Sequence, residues 1–292
     1  MFYDFETITY GKWILAGEHA VVRGHEALVF PLKERQLRLR YSAQSSSLSA
    51  DYSGVCGQDT HLLFWSVLEH GMKLLGRSLN QINGHFELES TIPVGVGMGA
   101  SASLCVAMSR WFCQQNMVES TLCNQFAKEL EHLFHGKSSG LDIAGVSSDE
   151  GVYFKSGVCS SLQPRVKPLW FLSSCKQIGM TSHCIQQVHN LWQQDPAVAK
   201  EIDLDMVDSV QECRSALETG GVDAIERLAK AINKAALCFF RWGLVSESLQ
   251  QHMNALFDAG AVAVKPTGSG GGGFVLSLWN TPPSEPHDYI AI

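Results

Sequence analysis

The stretch with the clearest chemistry is Pro93-Val94-Gly95-Val96-Gly97-Met98-Gly99-Ala100-Ser101-Ala102-Ser103, in which alternating glycines give way to small residues. Glycines without a Cβ let backbone N–H groups approach an anion, and a helix starting at their end adds its unpaired amides and positive dipole. A polyphosphate fits that field. The plainer reading is a tight turn before a core helix. A second loop, Lys265-Pro266-Thr267-Gly268-Ser269-Gly270-Gly271-Gly272-Gly273, spells GxGxxG but leads into strand-like Phe274–Trp279, so the dinucleotide fingerprint fails on context. A flexible hairpin is its plainer reading, and neither loop matches GxxxxGK[ST].

Between the loops, Glu131 and Asp142 flank His135-Gly136-Lys137-Ser138-Ser139-Gly140. One carboxylate leaves the end of a helix and the other follows a tight turn, so both can reach one site. A divalent cation on triphosphate oxygens takes hard ligands, for which Glu131 and Ser101 are suited. A hydroxyl attacking a γ-phosphate needs an acceptor for its proton, and Asp142 is the candidate. The bland alternative has Glu131 solvated on a helix face and Asp142 capping a turn. Lys12 lies in Tyr10-Gly11-Lys12-Trp13-Ile14-Leu15-Ala16, where a charge among apolar neighbours needs a partner if buried. Asp142 is a suitable one; an ordinary edge-strand lysine is the other reading, and His19 could equally be a structural histidine.

These residues need a scaffold. Thr7 to Val22 and Ala27–Phe30 suggest early strands joined by a functional turn, and Leu37–Tyr41 repeats the period-two pattern. The serine-rich Ser42 to Ser53 reads as a surface loop or hairpin. A helix is expected over His61 to Leu75, a strand over Phe86–Ser90, and a mostly buried helix after the first glycine loop. Ser120 or Thr121 can cap a helix carrying Leu122, Phe126, Leu130, Leu133 and Phe134 and closed by Gly136. Pro164 and Pro168 mark a change in character, which puts a domain boundary near residue 160. Beyond it come strand-like Leu169–Leu172, long helices ending at Gly220, Gly243 and Gly260, and strands over Ala261–Lys265, Phe274–Trp279 and Tyr289–Ile292.

At 292 residues and 45% hydrophobic content the chain has material for about two domains with extended cores. It has no run of about eighteen apolar residues and no basic, apolar start, so neither a membrane span nor a signal peptide is expected, and a cytoplasmic location follows. Nine cysteines without a CxxC pair fit reduced, mostly buried thiols. A net charge of −7 argues against a nucleic-acid surface.

Taken together, the motifs resemble those of the GHMP superfamily of small-molecule kinases, and most of all its mevalonate kinases. The first motif is Gly11-Lys12 followed by Gly17-Glu18-His19-Ala20-Val21-Val22 and Gly24; the two glycine loops are the second and third. The spacing from Glu131 to Asp142 also matches. The resemblance implies an α+β fold with an N-terminal domain like that of ribosomal protein S5 over 1–160 and a ferredoxin-like C-terminal domain over 161–292. It implies ATP-dependent phosphorylation of a small alcohol, with Asp142 as base and Lys12 beside it, and Ser101 and Glu131 on Mg²⁺. Pro93, Gly95, Gly97, Met98, Gly99, Ala100, Ser101, Ala102 and Ser103, with Gly268, Gly270 and Gly271, would bind the nucleotide. Glu18, His19, Ser139, Gly140 and Ser269 would face the acceptor. Departures from the family pattern are Thr9-Tyr10 for Ala-Pro, Ala100 for serine, Ser138 for proline, and Ile143 for asparagine.

Mevalonate is the acceptor that the first motif implies, and a homodimer is possible by the same analogy. The alternatives are a phosphomevalonate kinase, which needs further cations such as Lys137, Arg23 and Lys33; a mevalonate diphosphate decarboxylase, which Gly17-Glu18-His19 speaks against; and a non-catalytic metabolite sensor.

Overall fold

The structure, a computed structural model, describes residues 3–55, 57–135, 138–284 and 288–292. Contacts divide the chain into two compact units, one of Met1–Lys12, Pro31–Val94 and Met98–Asp149, the other of Trp13–Phe30, Gly95–Gly97 and Glu150–Ile292. Strands β1 (Phe5–Ala16) and β2 (Glu26–Ser42) each belong in part to both.

In the first unit, the later half of β2 pairs antiparallel with β4 (Gly84–Ser90), Leu37 opposite Ser90, and β3 (Leu48–Gly54) pairs parallel with β4, Leu48 opposite Gly84. Helices α1 (Gly57–Leu74), α2 (Ala100–Gln114), α3 (Cys123–His135) and α4 (Leu141–Ser147) complete it. Strand β3 corrects the expectation of a loop or hairpin over Ser42 to Ser53. Serines alone do not exclude a strand when a neighbour such as β4 offers a row of backbone partners. The two strand patterns at Ala27–Phe30 and Leu37–Tyr41 are parts of one strand, β2.

The helix after the first glycine loop is confirmed, and its burial is nearly complete, with Leu104, Cys105, Val106, Ala107, Met108, Trp111 and Phe112 at 1% exposure or less. Trp111 meets Phe86 at 5.0 Å and Tyr41 at 5.3 Å edge to face, so aromatic packing fixes α2 against the strands. A helix held this firmly holds its N-terminus, and with it the loop. The expected cap of α3 fails. Ser120–Leu122 form a separate 3-10 turn, no side-chain cap bond is made there, and Leu122 and Leu133 are exposed. Gly136, expected to close α3, lies outside the described residues.

In the second unit, the first half of β2 pairs antiparallel with β5 (Val152–Lys155), which forms a hairpin with β6 (Val158–Ser161). A four-stranded sheet has the order β10-β7-β9-β8, with β7 Leu169–Ser174, β8 Ala263–Thr267, β9 Phe274–Trp279 and β10 Ile290–Ala291. Helices α5 (Thr181–Gln194), α6 (Pro196–Thr219), α7 (Ala224–Arg241) and α8 (Glu247–Asp258) belong to the same unit. Both β8 and β9 are buried along their whole length. Side chains on β8 can therefore face only protein.

Candidate active site

Lys12 is 2% exposed, and its Nζ lies 2.9 Å from Asp142 Oδ1. Burial leaves an ammonium few ways to keep its charge, and the carboxylate supplies one. The first glycine loop closes on the same lysine. The Lys12 N–H donates to the Met98 carbonyl at 2.9 Å, and a Cβ on Gly99 would sit 2.8 Å from Lys12 Cγ. Gly99 also has φ +80°, so both backbone shape and close approach require glycine there. Lys12 thus contacts both Asp142, the partner the sequence offered, and Gly99.

Gly99 is the N-cap of α2 and offers no capping side chain. The first bond closing the helix is Ser103 N–H to Gly99 O, so the amides of Ala100, Ser101 and Ala102 have no helical acceptor. Those donors and the helix dipole fit the phosphate cradle inferred from the sequence. Ser103 itself turns inward, fully buried, its hydroxyl donating to the Tyr10 carbonyl while its own carbonyl accepts from Thr9. Met98 is buried, and its carbonyl is the one engaged by Lys12.

Glu131 is 1% exposed. The Ser138 hydroxyl donates to its Oε2, whereas Oε1 has no hydrogen-bond partner among the described residues. Burial, then the negative charge of Asp142, raises the Glu131 carboxyl to about 7, against the pull of Ser138, Lys12 and Lys128. A buried carboxylate oxygen with open lone pairs is the donor a small hard cation takes, and the residues present therefore fit Mg²⁺. No group of three or more His, Cys, Asp or Glu gathers as a protein-only metal cage among the described residues. Magnesium retaining waters and phosphate oxygens needs no such cage.

Ser138 also accepts the Gly140 N–H at 3.0 Å, and Ser139 Oγ accepts the Leu141 N–H at 3.2 Å. Gly140, at φ +88°, is the N-cap of α4, which places Asp142 in that helix's first turn. Two serines thus set the angle at which α4 begins. Ser138 was legible only as a departure from the family pattern.

In the second unit, the loop tip Gly95–Gly97 meets the other glycine loop. A Cβ on Gly97 would lie 3.5 Å from the Thr267 carbonyl, and one on Gly273 would lie 2.9 Å from the Val96 carbonyl. Gly268 approaches Gly97, whereas Gly270 packs on Leu244 and Phe239 and Gly271 on Cys184. Glu18 and His19 follow β1. Glu18 is 3% exposed and paired with Lys265 Nζ at 2.5 Å, a partnership the sequence reading missed. His19 Nε2–H donates to the Ser269 carbonyl at 2.9 Å, with the ring edge-on to Trp242 and Phe239. Burial lowers its pKa to about 4, so the ring is neutral at physiological pH. His19 adopts φ +58°, a strained value for a non-glycine residue that the surrounding contacts must hold. Arg23 donates twice to fully buried Asp203, at 2.5 and 2.6 Å, and stacks on Trp192.

Known proteins resemble this chain along nearly its whole length. A family model described as GHMP kinases N terminal domain matches residues 63–149. A mevalonate kinase of Archaeoglobus fulgidus is 30% identical over 275 residues, covering 92% of this chain and 90% of that protein. The mevalonate kinase of Arabidopsis thaliana is 25% identical, with 93% and 89% covered. Among solved structures, L. major mevalonate kinase in complex with R-mevalonate superposes with a TM-score of 0.79 at 23% identity, covering 95% of this chain and 87% of that one. Streptococcus pneumoniae phosphomevalonate kinase in complex with phosphomevalonate and AMPPNP gives 0.73 at 18% identity, with 95% and 93% covered. The chain belongs to the GHMP kinase family and has its two-domain α+β fold. The curated relatives named above are mevalonate kinases.

Proposed function

We propose that this chain is an ATP-dependent kinase whose acceptor is mevalonate, the γ-phosphoryl group passing to the primary hydroxyl to give 5-phosphomevalonate. The observation that carries the reading is the Lys12–Asp142 pair, 2.9 Å apart and packed against Gly99 at the foot of the glycine loop. Full-length similarity to mevalonate kinases selects the acceptor.

In this reading Asp142 accepts the hydroxyl proton as the new O–P bond forms and the bond to the ADP oxygen breaks. Lys12 orients Asp142 through their ion pair and offsets negative charge that develops during the step. The amides of Ala100–Ala102 and the loop glycines hold the triphosphate, while Ser101 and Glu131 would hold Mg²⁺. When bound, that ion neutralises phosphate charge and orients the oxygens. By family likeness Ser139 and Gly140 of the first unit, and His19, Ser269 and Glu18 of the second, are acceptor-facing residues, and within the second unit Glu18 is held by Lys265. The same proposal takes in a boundary near residue 160, from the change of character at Pro164 and Pro168, a cytoplasmic location, from the sequence, and, by family likeness alone, a homodimer. No helix among the described residues is long and apolar enough to cross a membrane.

A further phosphate on the acceptor needs free cations. Arg23 is engaged by Asp203, Lys33 is exposed, and Lys137 lies outside the described residues. The engagement of Arg23 counts against its use for such a phosphate, and the mevalonate kinase relatives favour mevalonate. ADP release measured over a panel of mevalonate, phosphomevalonate, homoserine and galactose tests the reading: turnover confined to mevalonate is expected, and turnover confined to another acceptor overturns it. Carbon dioxide release from the diphosphate would assign a lyase instead.

A further inference from the structure

The end of β1 with the turn after it, and β8 with the second glycine loop, all in the second unit, are joined by a short ladder of polar contacts. Ile14 N–H donates to Thr267 Oγ1 at 2.9 Å, and the Thr267 hydroxyl donates to the Ile14 carbonyl at 3.0 Å. Lys265 Nζ donates to that same carbonyl at 3.3 Å and to Glu18 Oε1 at 2.5 Å. His19 donates to Ser269 O, and Ser269 Oγ donates to Thr181 Oγ1 at 3.2 Å. The end of β1 and the turn after it are thereby tied to β8 and the loop that follows it.

Lys265 is fully buried, its ammonium 5.3 Å from the centre of the Phe239 ring, and that ring also lies edge-on to His19. A buried ion pair is a poor source of net stability, since desolvation offsets most of the attraction, but it tolerates little displacement. Its value lies in position.

We infer that Lys265 is a positioning residue: through Glu18 it holds the strained turn at which His19 binds the Ser269 carbonyl, so that the acceptor-side histidine and the second glycine loop keep one geometry. This rests on the kinase reading only for its catalytic consequence. Binding on the loop side and binding at His19 then share the same ordered ladder, and occupancy of one favours the other.

The test compares wild type with Lys265→Met and with the pair Glu18→Gln/Lys265→Met. The pair leaves no unmatched buried charge and so is expected to fold even where the single variant does not. Two measurements are made on the full chain. The first is the His19 ring titration by imidazole NMR, where release from its cage, with Phe239 and Trp242 around it and Arg23 and Asp203 as the neighbouring charges, moves the pKa from about 4 towards 6.5. The second is the affinity for AMPPNP with and without mevalonate. Loss of the ladder is expected to raise the mevalonate KM roughly tenfold or more, with nucleotide affinity alone changed less than about threefold and the mutual enhancement gone.

A folded charge-free pair with wild-type ring titration overturns the inference, as does a released ring with unchanged mutual enhancement. Absence of mevalonate turnover in wild type counts against the proposed acceptor instead, and the ring titration still decides whether Lys265 positions His19.

Discussion

Two buried polar clusters, one in each unit, meet the same difficulty of charge removed from water and resolve it in opposite ways. In the first unit, Lys12 and Asp142 match each other, but Glu131 keeps one oxygen without a partner among the described residues and is raised to about 7. In the second, Lys265 meets Glu18 and Arg23 meets Asp203, and the His19 ring remains neutral with its Nε2–H engaged. The first cluster leaves one carboxylate oxygen unmatched, which the proposed mechanism assigns to a cation. The second is matched within the protein and acts as a frame. Residual electrostatic demand, rather than the number of charges, distinguishes the cluster to which the proposed mechanism assigns chemistry from the one matched within itself.

The comparison breaks most readily at Asp142. Asp142→Asn keeps the shape but removes the proton acceptor, so kcat falls about 10²–10⁴-fold while ATP affinity stays within about threefold. Steady-state rates with calorimetric nucleotide binding measure both, and near-normal turnover would remove Asp142 from the mechanism. On the frame side the corresponding break is Arg23→Met. It leaves fully buried Asp203 without its bidentate partner and lowers stability by about 3–5 kcal/mol, read from urea unfolding. An unchanged midpoint would mean that the second cluster is not a frame at all.

How far these clusters could be read from the sequence follows from the range of the forces involved. Lys12 could be paired with Asp142 because a lysine inside an apolar run demands a partner and the motif order offered one. Lys265 sits in an equally apolar run, yet its partner Glu18 is 247 residues away and only the packing of β8 against the first motif brings them together. Local signals carried α2, whose apolar residues and preceding glycines are contiguous. They failed at β3, where serine content suggests a loop and the deciding partner, β4, lies parallel and distant in sequence. Ser138 shows the same limit on a smaller scale, since a hydroxyl aimed at Glu131 depends on how α3 and α4 are set, which no residue type announces.

Acid and base sharpen the contrast. Glu131 holds its proton more tightly folded, about 7, than in an ordinary carboxyl at 4.5, so stability falls as pH rises through that window, by up to about 3 kcal/mol. His19 does the reverse: the unfolded ring takes a proton below 6.5 and the folded ring only below about 4, so stability rises with pH between those values by a similar amount, about 3 kcal/mol at most. Between about 4.5 and 6.5 the two slopes oppose each other in wild type. Glu131→Gln should uncover the histidine slope, raise the unfolding free energy at pH 8, and raise the magnesium concentration needed for turnover because a charged oxygen ligand is gone. Unfolding curves at pH 5 and 8 with a magnesium titration check it; an unaltered pH profile would place the Glu131 carboxyl in water.

The smallest expected effect tests where the first cluster stops. Ser139 was expected to face the acceptor, and its hydroxyl accepts the Leu141 N–H at the start of α4, whose first turn carries Asp142. Ser139→Ala leaves that N–H without its acceptor and should lower stability by about 1 kcal/mol, the usual worth of such a local bond. If the hydroxyl serves only α4, the mevalonate KM stays within about twofold, because Gly140 and the Ser138 bond still set the angle of the helix. If it also touches the acceptor, KM rises several-fold at unchanged kcat, since a contact made equally before and during the reaction is lost. The two outcomes separate a residue that belongs with Glu131 and Asp142 from one that belongs to the scaffold beneath them.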